Sequence, residues 1–226
     1  MIDGIYAFWK PKGPTSNRFL NDIRRVVGKG VKVGHAGTLD PLAEGVLVVG
    51  IGRGTKALQS EVGKEKEYVA EVTLGVISST DDEEGDKTVF PVSSIPDIDS
   101  VRAAAESFLG ETDQVPPVYS AVKIGGKEAY KFARKGVGVD MRPRRVKIFS
   151  IDILEYAYPR LVIRVLTGKG VYIRSLARDL GSRLGVGGYL SGLKRTRVGL
   201  FDAASSFSVD GFKAALESGT LSRDGS

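Results

Sequence analysis

Apolar residues recur along the chain at two spacings, and the switches between them mark out its elements. Residues 3 to 9 read as a short strand, which Lys10-Pro11-Lys12-Gly13-Pro14-Thr15 stops with two prolines and a glycine. Phe19, Leu20, Ile23, Val26 and Val27 then fall on one helical face, with Arg24 and Arg25 elsewhere; Thr15 or Ser16 can cap this helix, and Gly28 and Gly30 end it. The apolar run from Val46 to Ile51 predicts a buried strand, followed by a short helix near Thr55 to Val62 and a longer strand from Tyr68 to Ile77. Clustered acids at 81–86, with Pro91 and Pro96 beyond them, predict an exposed connection, after which Asp99 or Ser100 opens a helix through Leu109. Val146 to Tyr156 and Leu161 to Thr167 are strand-like and joined as a hairpin through Tyr158-Pro159-Arg160. Tyr172 to Leu184 has helical spacing, with Ile173, Leu176, Ala177 and Leu180 inward and Arg174, Arg178 and Arg183 available to solvent or ligand. A last strand covers about Tyr189 to Val198. Strands and helices mix without regular alternation, which predicts an α+β fold around a mixed, mainly antiparallel sheet.

Composition narrows the chemistry. With 226 residues and 42% hydrophobic content the chain can bury a full core. Its longest apolar run is far short of the roughly 20 residues of a membrane span, and Met1 to Lys10 lacks the pattern of a secretory signal. A cytoplasmic protein is expected. No cysteine is present and only one histidine, which excludes disulfides, thiol nucleophiles, Cys-bearing zinc sites and any His-rich metal centre. Chemistry must then rest on carboxylates, tyrosines, lysines and arginines. The net charge is +6 although five acids crowd into 81–86, so the rest of the surface is strongly basic and suits a polyanion.

The segment Gly34-His35-Ala36-Gly37-Thr38-Leu39-Asp40-Pro41-Leu42-Ala43-Glu44-Gly45 holds the only histidine and a constrained aspartate. Pro41 pushes Asp40 toward an extended backbone and offers no amide to a ladder, so Asp40 belongs on a loop. Gly34, Gly37 and Gly45 let that loop turn and allow a ligand to approach the main chain. Local chemistry alone fits either a surface turn or a presented carboxylate.

Basic residues cluster at Arg142-Pro143-Arg144-Arg145-Val146-Lys147 and at Lys194-Arg195-Thr196-Arg197, each beside a predicted strand. Such clusters bind phosphates or guard strand edges, and two of them on a basic chain favour nucleic acid. Tyr68, Tyr119, Tyr130 and Tyr172 are candidate stacking residues. Of these, Tyr172 stands out by its place between Gly168-Lys169-Gly170 and Arg174 at a strand-to-helix corner. The acidic run keeps a metal-dependent phosphohydrolase as a weaker reading. Gly50-Ile51-Gly52-Arg53-Gly54-Thr55-Lys56 lacks the spacer of a phosphate loop, and no nucleotide site is assigned there.

Taken together, the motifs have a family likeness. The 34–45 segment closely resembles the catalytic motif of the TruB family of tRNA pseudouridine synthases, and Lys10-Pro11-Lys12-Gly13-Pro14-Thr15-Ser16 resembles its N-terminal motif. Thr55-Lys56 and Lys66-Glu67-Tyr68 match its next blocks. Pro116 to Lys123, with Gly126, Tyr130, Ala133, Arg134 and Gly136, is similar to the inserted thumb that folds over RNA, at about residues 115–145 here. Gly168 to Arg174 and Leu193 to Gly199 complete the series in family order.

The resemblance implies the pseudouridine synthase fold and an isomerase. It would convert uridine 55 in the T-loop of tRNA to pseudouridine by breaking the C1′–N1 bond, turning the uracil and rejoining it through C5. Asp40 would be the nucleophile, at the ribose C1′ or the uracil C6. Arg174 would pair with and orient it, and Tyr68 would stack on the flipped base and take part in proton transfer. Tyr172 and Leu193 would line the pocket and His35 would fill the space vacated in the T-loop. Lys10, Lys56, Arg144, Lys194 and Arg195 are candidate contacts to RNA phosphates. No cofactor and no metal are implied, nor an obligatory protein partner, and a monomer acting on the tRNA T-arm is expected.

Two departures qualify the likeness. Ser79 stands where many relatives carry an aspartate, although Asp82 fits the next acidic position. Few residues follow Phe201, so residues 1–226 are expected to form a single catalytic domain without the C-terminal PUA domain of many relatives, unlike the guide-RNA-dependent members. The competing class is a T-arm RNA chaperone, for which the basic clusters and the thumb would suffice without catalysis.

Overall fold

The computed structural model describes residues 2–120, 122–133 and 137–221. The thumb residues Ala121, Arg134 and Gly136 lie outside the described residues. The chain forms two compact units, one of residues 1–68 and 193–226, the other of residues 69–192.

The first unit begins with β1 (Gly4–Lys10) and α1 (Ser16–Val27). Thr15 caps α1, its hydroxyl accepting from the Arg18 amide at 3.2 Å, and Phe19, Leu20 and Ile23 form the buried face that the spacing predicts. Gly28, at φ 94°, ends the helix. After β2 (Val33–His35) the chain crosses the loop bearing Asp40 into β3 (Ala43–Ile51), whose residues are buried almost throughout. β1 and β2 both pair antiparallel with β3, with Tyr6 opposite Val49 and His35 opposite the same residue from the other side. A 3₁₀ turn (Gly52–Ala57) and α2 (Leu58–Val62) replace the single short helix expected. β4 (Lys66–Leu74) follows, alternating strictly so that Lys66, Tyr68, Ala70, Val72 and Leu74 are its buried positions.

In the second unit Gly75, at φ 80°, breaks the long strand expected through Ile77 and sets off β5 (Val76–Ser78), which pairs with β6 (Lys87–Val89). α3 (Ile98–Glu106) starts earlier than the sequence reading placed it, because the Asp97 carboxylate accepts from the Ser100 amide at 2.7 Å. β7 (Gly110–Gln114) leads to the short hairpin β8 (Lys123–Ile124) and β9 (Lys127–Glu128) and to α4 (Ala129–Ala133). β10 (Arg144–Ala157) and β11 (Arg160–Thr167) form the expected hairpin, with β4 on one side and β7 on the other. α5 (Ile173–Arg183) packs Ile173, Leu176, Ala177 and Leu180 inward.

β12 (Gly188–Val198) returns the chain to the first unit and joins β3 in parallel, Arg195 opposite Gly45. β13 (Phe201–Asp202) pairs back on β12, and α6 (Val209–Glu217), capped by Ser208, closes the unit. Phe212 of α6 is fully buried and meets the rings of Phe8, Tyr6 and Phe207 at 4.9, 5.2 and 5.5 Å. With Phe19, Leu20, Ile23, Leu47, Val49 and Ile51 they make one of the unit's hydrophobic clusters, and Ala7, Ala36, Val46, Val48, Leu58 and Val198 make another. Among the described residues, no helix is long and apolar enough to cross a membrane.

Candidate active site

In the first unit the loop between β2 and β3 is pinned at several points. The Ser16 hydroxyl donates to the Leu39 carbonyl at 2.9 Å and accepts from the Leu39 amide at 2.8 Å. The Gly13 amide donates to the Pro41 carbonyl at 2.7 Å, and the Ala43 amide to the Asp40 carbonyl at 3.1 Å. Leu39 is buried, whereas Asp40 beside it is half-buried. A side chain whose own backbone is fixed on either side is thus turned partly toward solvent, which is what presenting a carboxylate requires.

Two of the expected phosphate contacts are inside the protein instead. Lys10 has no exposed surface, and its ammonium donates to the carbonyls of Pro11 and Pro14, each at 2.9 Å. It thereby closes the turn that carries Ser16. Burial lowers its pKa to about 8, against the opposing pull of Asp40 and Glu44 and with help from Arg195. Arg195 is 1% exposed, and its guanidinium donates to the carbonyls of Val46, Gly37 and Thr38. Neither side chain has surface to offer a phosphate. A buried cation is tolerable here because carbonyl dipoles fill its donors. Strand parity carried the signal: Lys10 shares a face with buried Phe8, and Arg195 lies beside exposed Lys194.

His35 is half-buried on β2, and its Nδ1 has no hydrogen-bond partner among the described residues. Burial lowers its pKa, and the cations of Arg195 and Arg24 lower it further. Tyr68 is only 7% exposed on the inward face of β4, and Leu193 is half-buried on β12. Lys56 and Lys194 are exposed; the Lys194 ammonium pairs with Glu44 at 3.0 Å.

In the second unit Arg174 lies in the first turn of α5 and is buried, so of the two places that helical spacing leaves it, toward solvent or toward a ligand, the solvent is excluded. Its Nη1 lies 3.3 Å from the Asp82 carboxylate and its Nη2 donates to the Tyr119 carbonyl at 2.8 Å. Asp82, at 3% exposure, also accepts from Thr80 and from the Glu84 amide. The acidic run is therefore not simply an exposed connection. Asp82 serves Arg174, and Asp81, held at φ 62°, pairs with Arg178 at 2.7 Å. Glu83, Glu84 and Asp86 remain exposed. Tyr172, the residue before α5, is fixed through its backbone by Gln114, which accepts from its amide at 2.8 Å and donates to its carbonyl at 3.1 Å. Ser175 and Arg178 both donate to the Val115 carbonyl. Gln114 is a polar residue in a polar strand, and no motif marks it in the sequence.

Within the thumb, Val122, Ala129 and Met141 pack together with Ile124, Val139 and Tyr172 against them. A cavity of about 560 Å³ is lined there by Val122, Ile124, Phe132, Met141, Arg142 and Arg144 among others. Arg144 is exposed at the start of β10.

The fold defined by these units is that of the pseudouridine synthases. It superposes on the protein of a Cbf5-Nop10-Gar1 complex with a TM-score of 0.74 at 32% identity over 96% of this chain, and on that of an H/ACA RNP bound to a substrate RNA containing 2′-deoxyuridine with 0.71 at 29% identity. The chain spans 57% and 56% of the length of those two. In sequence, residues 24–173 match the TruB family pseudouridylate synthase N-terminal domain and residues 174–224 the tRNA pseudouridylate synthase B C-terminal domain. Proteins named tRNA pseudouridine synthase B from Protochlamydia amoebophila and Cutibacterium acnes are 43% and 45% identical over 88% of this chain, covering 76% and 68% of their own lengths. That of Xanthomonas oryzae is 40% identical over 96% of the chain and 70% of its own length. The chain belongs to the TruB family of pseudouridylate synthases, which are isomerases.

Proposed function

We propose that the protein is a tRNA pseudouridine synthase acting on uridine 55 of the T-loop, with Asp40 as its nucleophile. The observation that carries this reading is the pinned 34–45 loop, which turns Asp40 partly toward solvent in a chain at least 40% identical to named tRNA pseudouridine synthases B over most of its length. One carboxylate and proton shuttling suffice for an isomerisation without net redox change or group transfer, which suits a chain with no cysteine and a single histidine. The uridine must leave its stack before the carboxylate can reach it, at a cost of a few kcal/mol. Tyr68, Tyr172 and Leu193 replace that stacking, and His35 fills the vacated space. Arg174 serves as the guanidinium that orients the nucleophile. The thumb cavity with Arg142 and Arg144 in the second unit, and exposed Lys56 and Lys194 in the first, each offer cations that suit RNA phosphates. The enzyme works without cofactor, as a monomer, in the cytoplasm.

Incubation with an unmodified tRNA transcript, followed by carbodiimide mapping of pseudouridine, tests substrate and position together. A single stop at position 55 is expected, unaffected by a chelator so long as the RNA stays folded. Asp40→Asn should abolish it and leave tRNA binding nearly intact. If the native chain binds and remodels the T-arm but yields no pseudouridine, the chaperone reading replaces this one.

A further inference from the structure

Arg195 lies under both flanks of the Asp40 turn. Its Nε donates to the Val46 carbonyl at 2.8 Å, after the turn, while Nη2 and Nη1 donate to Gly37 at 3.1 Å and Thr38 at 3.4 Å, before it. Removing a guanidinium from water is costly unless its donors are filled, so this placement is retained only where the carbonyls stay gathered. The main chain is shaped to bring the Arg195 backbone close to the end of the turn. Gly45 has φ 122°, and a Cβ there would lie 2.2 Å from the Arg195 carbonyl oxygen, so the parallel approach of β12 to β3 requires glycine. At Gly37 a Cβ would make only ordinary contact with Arg195 Nη1, at 3.6 Å, so there the backbone angle, φ 95°, is what calls for glycine. Glycines on both sides of Asp40 impose little torsional resistance of their own. The loop's direction must then be set by bonds from outside it.

We propose that Arg195 is a positioning residue for Asp40: its planar fork gathers the carbonyls on either side of the turn and so fixes where the carboxylate points, without touching RNA. Lysine at the same place would keep the charge but, as a compact point donor, could not span both flanks. The proposal rests on the reading of Asp40 as the nucleophile. Because misplacing a reacting group by about 1 Å costs roughly 100-fold in rate, the effect belongs in the chemical step and not in binding.

The test compares the native chain with Arg195→Gln and Arg195→Lys, each shown folded by circular dichroism. Single-turnover pseudouridine formation on an unmodified tRNA transcript, tRNA Kd by filter binding, and hydrogen exchange of the amides at 37–46 are measured. Expected are an unchanged Kd, a rate roughly 100-fold lower in Arg195→Gln and reduced in Arg195→Lys, and faster exchange across the loop. Should Arg195→Gln fail to fold, Arg195→Lys, which keeps the buried charge, carries the same comparison. A raised Kd with an unchanged rate makes Arg195 an RNA contact and overturns the proposal, as does unchanged exchange in a folded variant. A native chain that forms no pseudouridine overturns instead the functional reading on which the proposal rests.

Discussion

Ser16 and Leu39, 23 residues apart, exchange two hydrogen bonds through one hydroxyl, which donates to the Leu39 carbonyl and accepts from its amide. Both residues are buried, at 2% exposure each. The first residue of α1 thus does for the Asp40 loop what a ladder partner does for a strand. Ser16→Ala leaves a buried N–H and a buried C=O without that partner, and a loss of roughly 2–3 kcal/mol in unfolding free energy is expected by urea titration. Single-turnover pseudouridine formation, measured well below the variant's Tm, should fall as well. A variant that loses stability but keeps the native rate would show that the loop's position at Leu39 does not reach the chemistry.

Arg174 makes two demands that lysine cannot meet together, since one nitrogen faces Asp82 and another the Tyr119 carbonyl. Deleting the charge would strand Asp82, but Arg174→Lys keeps it, so the variant should still fold, with a Tm lowered by the loss of one of the two contacts. Its single-turnover rate should drop by roughly 100-fold or more through misorientation. Near-native turnover would remove Arg174 from the site.

Most elements could be read from periodicity, because α1, β3, the β10–β11 hairpin and α5 bury apolar residues at regular spacing. β7 could not, since Gly-Glu-Thr-Asp-Gln holds only Thr112 among strand-favouring residues; it pairs with β10, where Arg145 faces Glu111 and Asp113. The start of α3 differs from expectation because Asp97, Asp99 and Ser100 can all cap a helix, and Asp97 does so. α6, which the sequence reading above does not include, is marked only by Ser208 followed by Phe212, Ala215 and Leu216 at helical spacing. In the site, glycine and proline spacing marked the Asp40 loop. The inward turn of Lys10 and Arg195 was hidden because a long cationic side chain reads as surface unless the parity of its strand is weighed.

Lys10 makes stability depend on pH on the alkaline side. Below pH 8 both the folded and the unfolded chain hold its proton, and the buried charge costs its full amount. Between about 8 and the ordinary 10.5 the unfolded chain binds a proton that the folded chain does not, so stability should rise with pH through that window. The full effect is about 3 kcal/mol at most. Urea unfolding of the native chain and of Lys10→Met at a series of pH values isolates it. The two curves should converge or diverge across this window by that order, and parallel curves would show that Lys10 titrates normally.

His35 presents the opposite edge of the pH range. On β2 its Nδ1 is enclosed without an acceptor among the described residues, and a proton placed there would be a buried donor near the cations of Arg195 and Arg24. The folded chain therefore keeps the imidazole neutral below the pH at which the unfolded chain takes up its proton. Stability should fall as pH drops through about 6.5 toward the lowered folded pKa, because only the unfolded state gains the proton there. For the reaction, a residue that stays neutral gives no inflection near pH 6.5. The pH profile of kcat/KM should be flat across that value, and imidazole nitrogen shifts recorded by NMR should remain those of the neutral ring. His35→Gln should then weaken tRNA binding or base extrusion with no change in the shape of the profile. An inflection near pH 6.5 that disappears in His35→Gln would instead make His35 a proton carrier, and the enclosed Nδ1 would have to open during turnover.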